Sequence, residues 1–392
     1  MTDARWKAGL VRYVPEDVAR YRDHGVWGEL TISEEFHRSA LRFPDDLAVI
    51  TPENRLTYRE LDELSDRLAL GLLDLGLTPG DRVLFQVTNR WETVAAWYGV
   101  LKAGLIPVAT LAAHRAHEIS DTARRSGAVA HLVEAGTANF DLVSFAQEQA
   151  AATPALRFLL TISAGSDAPG RRIEDLWAAG DAGAARSAVE AVQEAILPDD
   201  VAVFQLSGGT TGVPKIIPRL QAEYWYNARR YAEALRFGPT TKNSHAGPVI
   251  HNAGIVCAVH GPHSVGGATV LPGPDVRARI PFLVEEGITD ILIGRVNFVL
   301  VEQPLPHAEQ LSAGDAQLLQ VRECRSRHLP AREDDATQVF QNGLERVLRA
   351  PSRTSTPPLE RGAPPSAARS LSWTREDPRA GHRDRGGRRS NR

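Results

Sequence analysis

Apolar and polar residues along this chain alternate between two periods. Thr57-Tyr58-Arg59-Glu60 has the form of a capping box, and Leu61, Leu64, Leu68 and Leu72 follow at three- and four-residue spacing, so a helix is predicted that Gly76 ends. Residues 82–87 read as a strand, 91–103 as a helix stopped by Gly104, and 105–109 and 128–133 as strands. Further strands are predicted at 158–161 and 201–205, a helix at 222–235, and strands at 268–271 and 289–293 flanking a helix at 280–286. Strands alternating with helices of this length imply an α/β fold whose mainly parallel sheets are flanked by helices. Residues 135–198 are rich in Ala, Gly, Ser and Asp and, apart from the strand at 158–161, read as surface excursions.

Beyond about residue 311 the periodicity stops. From Arg322 on there are 16 arginines, no lysine and 9 acidic residues, a local charge of +7 in a chain whose net charge is −3, and such a sign change marks a boundary. The expected organisation is therefore one α/β domain over 1–320 and an Arg/Pro/Ser-rich tail over 321–392. The tail has too little apolar surface to offset its ordering entropy, so it is expected to be disordered. It reads either as a basic, RNA-binding extension or as a degenerate, frame-shifted end. Trp373 is the sole aromatic beyond Phe340, which leaves base stacking little to use, so no nucleic-acid partner is expected.

Composition narrows the rest. The 43% apolar and 24% charged content is that of an ordinary soluble globular protein. Cys257 and Cys324 cannot make a disulfide framework, which suggests a reducing, cytoplasmic setting. No apolar run reaches about 18 residues and no signal-peptide pattern opens the chain, so no membrane span is implied.

The densest chemistry follows the strand Val201-Ala202-Val203-Phe204-Gln205, in the run Leu206-Ser207-Gly208-Gly209-Thr210-Thr211-Gly212-Val213-Pro214-Lys215. Glycines let backbone N–H groups approach an anion, Ser and Thr hydroxyls add neutral donors, and a lysine adds mobile positive charge. Val213-Pro214 separates Gly212 from Lys215, so this is not a Walker A loop. A flexible glycine turn between two strands is the plainer alternative. The second cluster is Pro248-Val249-Ile250-His251-Asn252-Ala253-Gly254-Ile255-Val256-Cys257. It reads as a polar pair buried between an apolar strand end and an apolar helix, with Asn252 as helix cap and His251 as a core histidine, or as a binding site. Cys257 alone reads as a small buried hydrophobe.

The run from Ser207 to Lys215 resembles the phosphate loop of adenylate-forming enzymes. Its extension Ile216-Ile217-Pro218-Arg219 and Tyr224-Trp225-Tyr226-Asn227-Ala228-Arg229-Arg230 is similar to the branch that adenylates aryl acids such as 2,3-dihydroxybenzoate and salicylate for siderophores. The likeness runs from about Trp27 to about Leu300. It implies the N-terminal domain of that fold, ATP bound by Ser207, Gly208, Gly209, Thr210, Thr211, Gly212 and Lys215, and Mg²⁺ carried with the triphosphate, with Thr211 the hydroxyl nearest the metal. It also implies an aryl-acid pocket in which Asn252 meets the ortho hydroxyl, His251 lies catalytically beside the carboxylate, and Cys257 borders the ring. A thiol is a weak donor, which tilts the expected acid toward salicylate. The acyl group would pass to a phosphopantetheine thiol on an aryl carrier protein or on coenzyme A.

The chain also departs from the family. No lysine follows Lys242, so the lysine of the family's small C-terminal domain has no counterpart here, and that domain is expected to be missing. Thr337-Gln338-Val339-Phe340 resembles the strand before the family's metal-assisting glutamate, but Gln341-Asn342-Gly343-Leu344-Glu345 is a damaged version of what should follow. Impaired turnover is therefore expected. The competing expectations are an acyl-CoA synthetase for a benzoate-like acid and a non-catalytic nucleotide-binding remnant.

Overall fold

Two mainly parallel sheets organise the chain. The computed structural model describes residues 13–137, 139–207, 214–245, 247–273, 280–292 and 320–321. Within these, the elements run α1 (Pro15–Asp23), α2 (Ile32–Arg42), β1 (Leu47–Ile50), β2 (Arg55–Thr57), α3 (Tyr58–Asp74), β3 (Arg82–Gln86), α4 (Trp91–Lys102), β4 (Ile106–Val108), α5 (Ala116–Ser126) and β5 (Ala130–Glu134). Next come α6 (Leu142–Ala152), β6 (Phe158–Ile162), β7 (Arg171–Arg172), α7 (Ile173–Ala179), α8 (Ala182–Gln193), β8 (Val201–Leu206), β9 (Ile216–Leu220), α9 (Gln221–Ala234) and β10 (Lys242–His245). A π-helical segment (Gly254–His260), α10 (Gly261–His263), β11 (Ala268–Val270), α11 (Ile280–Glu285), β12 (Asp290–Leu292) and β13 (Gln320–Val321) complete the order.

One sheet has the order β13-β12-β10-β11-β1-β2 and the other β7-β6-β5-β3-β4-β8-β9. All neighbours are parallel except β1 with β2 and β8 with β9. The mainly parallel α/β arrangement expected from the sequence is therefore the one observed. The tail expected from residue 321 on lies, apart from Val321, outside the described residues, as do Cys324 and Glu345.

Helix α3 carries the capping box as read: Thr57 accepts from Glu60 N, and the Glu60 carboxylate accepts from Thr57 N at 2.8 Å. Leu61, Leu68 and Leu72 are buried on its inner face. Its partner α4 approaches closely at Gly99, where a Cβ would stand 2.8 Å from Leu68 Cδ2. The seam ends on a buried ion cluster. Lys102, 0% exposed, donates to Asp62 Oδ1, the Asp62 carbonyl and Asp66 Oδ1 at 2.6, 2.7 and 2.6 Å. All three ammonium protons are satisfied, the condition under which a buried charge is tolerated.

Residues 135–198 are not surface excursions. They supply three helices and the strands β6 and β7, and α8 packs on α3 with Ala185, Val189 and Gln193 buried. Small residues hide the period in α8, because Ala contributes little to a hydrophobic stripe yet lets helices approach closely. The second cluster is also organised differently from its reading. The strand before it ends at His245, Val249 and Ile250 lie in a turn, and the helix after it is π-helical.

Candidate functional site

The hairpin β8–β9 carries the first motif. Val201 to Gln205 are all buried, because β8 lies between β4 and β9. The connection after β8 leaves at the carboxyl end of the parallel strands, where open α/β sheets bind ligands. Its two ends are pinched together: Ser207 N donates to the Lys215 carbonyl at 3.0 Å, and Lys215 N donates to Ser207 Oγ at 2.9 Å. Arg125 Nη1 donates to the Pro214 carbonyl at 2.9 Å, and the Lys215 side chain is exposed. Gly208, Gly209, Thr210, Thr211 and Gly212 lie outside the described residues.

The exit strand β9 carries Arg219, whose guanidinium is held from three sides. Nε stands 3.1 Å from each Glu223 carboxylate oxygen, and Nη2 also donates to Glu223. Glu223 sits in the first turn of α9 and accepts from Leu220 N as well. The guanidinium carbon lies 4.7 Å from the centre of the Tyr224 ring, a cation–π distance. Its third arm, Nη1, donates to Asn252 Oδ1 at 3.1 Å. Burial works to lower the Arg219 pKa, but the Glu223 hydrogen bonds and charge outweigh it and hold the pKa above the ordinary arginine value. Tyr224 is buried, its hydroxyl accepts from Gln205 Nε2 at 3.0 Å, and burial pushes its pKa well up.

Asn252 is thus not a helix cap. Its side chain points to Arg219, and the π-helical segment begins after Ala253 without a side-chain cap. His251 is exposed rather than buried. Its Nδ1 accepts from Ala253 N at 3.3 Å, and desolvation of the ring lowers its pKa, leaving a neutral imidazole at pH 7. Cys257 is 6% exposed, inside the π-helical segment, one turn beyond Asn252. Single π-helical turns often accompany functional sites. This one needs Gly254, where a Cβ would fall 2.7 Å from the carbonyl carbon of Val249.

What fixes the turn before His251 is Asn89, between β3 and α4. Its Nδ2 donates to the Gly247 carbonyl at 2.8 Å, and its Oδ1 accepts from Val249 N at 2.7 Å. One carboxamide at the end of the seven-stranded sheet therefore satisfies two backbone groups of the turn that follows β10 of the other sheet. Asn89 carries no sequence signal, since a lone Asn after a strand is ordinary turn chemistry. Arg219 and Glu223 have a weak one, an Arg/Glu pair spaced four apart just after the loop.

Asn89 also lines a cavity of about 530 Å³ at the strands' carboxyl ends, together with Thr88, Arg90, Arg115, Glu134 and Phe140. Its charges are largely paired internally. Arg90 reaches Glu92 at 3.1 Å and Glu134 at 3.5 Å, and Thr88 Oγ1 donates to Glu134 at 2.6 Å. Ser207, Lys215, His251, Asn252 and Cys257 do not line this cavity. The structure brings Asn252 to the β8–β9 hairpin through Arg219 and places Cys257 in the segment after Asn252, while His251 is exposed.

No group of three or more His, Cys, Asp or Glu side chains among the described residues could hold a metal ion. No helix among the described residues is long and apolar enough to cross a membrane.

Residues 36–293 match the family described as AMP-binding enzyme. The chain belongs to that family. It is 36% identical over 289 residues to a salicylyl-CoA synthase / salicylate adenylyltransferase from a Streptomyces species, covering 72% of this chain and 51% of the relative. It is 33% identical over 288 residues to the salicyl-AMP ligase / salicyl-S-ArCP synthetase of Mycobacterium tuberculosis, covering 72% and 49%. The apo structure of MbtA from Mycobacterium smegmatis superposes with a TM-score of 0.69 at 32% identity, covering 80% of this chain and 58% of that one. The chain spans about half the length of the curated relatives it matches. The family resemblance drawn from the Ser207–Lys215 run and its extension to Arg230, and the N-terminal fold it implied, are therefore correct.

Proposed function

We propose that this chain binds ATP and an aryl carboxylic acid of the 2-hydroxybenzoate type, the two substrates of acyl-adenylate formation, and that it turns them over with impaired efficiency because no lysine follows Lys242. A carboxylate oxygen attacks the α-phosphorus, the bond from that phosphorus to the bridging oxygen breaks, and pyrophosphate leaves. Such chemistry asks the protein for positioning and for charge at the transferring group. In this reading the backbone and hydroxyls of 207–212 and the Lys215 ammonium would hold the β- and γ-phosphates, and Thr211 would be the hydroxyl that holds Mg²⁺. Magnesium, when bound, neutralises the charge that builds on the leaving phosphates. Asn252 meets the ring's ortho substituent, Cys257 borders the ring, and His251 presents a neutral imidazole to the carboxylate.

The observation that carries the reading is the Arg219–Asn252 hydrogen bond of 3.1 Å. It ties the strand leaving the 207–215 connection to the His-Asn turn, which supports reading the nucleotide and acid motifs as one site. The names of the Streptomyces and Mycobacterium tuberculosis relatives support salicylate as the acid, and they support a thiol acceptor on coenzyme A or an aryl carrier protein. The reading places binding in residues 1–320 and treats 321–392 as a separate tail, in the cytoplasm. Calorimetric titration of the 392-residue chain with MgATP and with salicylate tests it. Saturable binding of both is expected, and failure of either to bind overturns the reading.

A further inference from the structure

We infer that Arg219 is a positioning residue that fixes which way round the Asn252 carboxamide stands, and that this makes the site select aryl acids whose ortho substituent accepts a hydrogen bond. The inference rests on the aryl-acid reading above and adds to it the source of the selectivity.

A carboxamide has an accepting end and a donating end, and a half-turn about its terminal torsion exchanges them with little change of shape. Something must therefore choose. Guanidinium has donors and no acceptor. With Arg219 Nη1 at 3.1 Å from Asn252, the oxygen has to face it, because the opposite rotation sets N–H against N–H beside a positive charge. Arg219 itself cannot turn away. Glu223 holds Nε and Nη2, and the plane of the group lies over Tyr224, which Gln205 fixes in turn. With Oδ1 held by Arg219, Nδ2 is the end of the carboxamide that faces a ligand in this proposal.

A ligand group facing Nδ2 must accept. In salicylate the ortho hydroxyl donates to its own carboxylate and turns oxygen lone pairs outward. In anthranilate the ortho amine delocalises its lone pair into the ring and turns N–H outward, donor against donor. Benzoate offers neither. A polar group in a partly closed site that meets a like group loses its bond and its solvation together, and sites built on such groups discriminate strongly. The resulting order is salicylate first, benzoate second and anthranilate last.

The test is calorimetric titration of the full 392-residue chain with salicylate, benzoate and anthranilate, in wild type, Arg219→Met, Arg219→Lys and Asn252→Asp. Wild type should favour salicylate over anthranilate by about tenfold or more. Arg219→Met frees the amide to rotate, and the ratio should fall toward one with benzoate affinity unchanged; general damage to the pocket would weaken all three acids alike. Arg219→Lys keeps a cation that can donate to Oδ1 and should restore most of the preference. Asn252→Asp keeps one oxygen on Arg219 and presents an acceptor to the ring, so the preference should reverse toward anthranilate.

An unchanged ratio in Arg219→Met with intact benzoate binding overturns the positioning role and leaves the aryl-acid reading standing. If wild type binds none of the three acids, both fall. Should Arg219→Met fail to fold, the direction of the Asn252→Asp ratio decides alone, and continued preference for salicylate there refutes the inference.

Discussion

Asn89 Oδ1 accepts from Val249 N at 2.7 Å while its Nδ2 donates to the Gly247 carbonyl at 2.8 Å, across 158 residues of chain. A side chain at the end of one sheet thereby holds the turn that leads to His251 and Asn252. Asn89→Ala would leave a buried N–H unpaired, at about 1–3 kcal/mol. Asn89→Asp keeps the acceptor for Val249 N and loses the donor, so it should fall between. Urea unfolding measures the stability, and salicylate titration should show acid binding weakened more than MgATP binding. Equal weakening of both ligands would argue that Asn89 acts on the fold alone.

Lys215→Ala should leave the melting temperature of the chain unchanged, because the lysine side chain is exposed, and should weaken MgATP binding. Ser207→Ala removes the hydroxyl that accepts from Lys215 N. It should reduce stability by roughly 0.5–1.5 kcal/mol and loosen the loop ends. Unaltered nucleotide affinity in both variants would remove the 207–215 segment from the site.

Acid should destabilise this protein well above the carboxylate range. Burial holds His131 and His260 at about 3 and His263 at about 4. These folded pKa values lie below the unfolded value of about 6.5, so the unfolded chain takes up protons first as pH falls. Stability is full above about pH 6.5 and declines as pH drops toward 4, by about 1.4 kcal/mol per pH unit for each ring. Urea midpoints at pH 7, 6 and 5 check this. In His131→Gln the slope should decrease by one proton, and a slope identical to wild type would show that His131 is not the group titrating.

Lys102→Met leaves Asp62 with only His37 and Asp66 with only Arg186 as basic partners, which should destabilise the chain by up to about 3–5 kcal/mol. Burial alone would raise the Asp62 pKa, but the Lys102 charge and the His37 and Lys102 hydrogen bonds bring it to about 2. A folded pKa below the unfolded one stabilises above the unfolded value and is lost as pH falls from about 3.8 through 2. That contribution is on the order of 2 kcal/mol. Stability curves between pH 4 and 2 should lose this dependence in the variant, and persistence of the same slope would locate the effect elsewhere.

Gly254→Ala places a methyl against the Val249 backbone, where no flexible side chain can yield. Overpacking of this kind is worth about 1–3 kcal/mol, and the π-helical segment should shift. A lowered melting temperature with weaker salicylate binding is the expected result. A variant as stable as wild type would mean that the turn at 248–253 relaxes freely.

The α/β plan was legible in the sequence wherever a local signal existed. Leu61, Leu68 and Leu72 repeat at helical spacing, Thr57 and Glu60 announce a helix start, and β8 is a continuous apolar run because both its faces are covered. The Ser207–Lys215 and His251–Asn252 motifs stood out as candidates in the sequence, since backbone approach to an anion demands glycines and hydroxyls in one short run. Helix α8 was missed because alanine dominates its sequence and its buried residues, Ala185, Val189 and Gln193, include only one strong hydrophobe.

The tertiary structure alone decided how the motifs meet. Arg219 and Asn252 are 33 positions apart, and Asn89 and Val249 are 160 apart. Hydrogen bonds of that separation leave no period or spacing in a single chain, because either partner alone is an ordinary polar residue. The exposure of His251 and the orientation of the Asn252 amide follow from which neighbours β9 and α9 bring up, and those neighbours are set by sheet order. Residue types thus determined what the site can do chemically, and packing determined which of their atoms are left to do it.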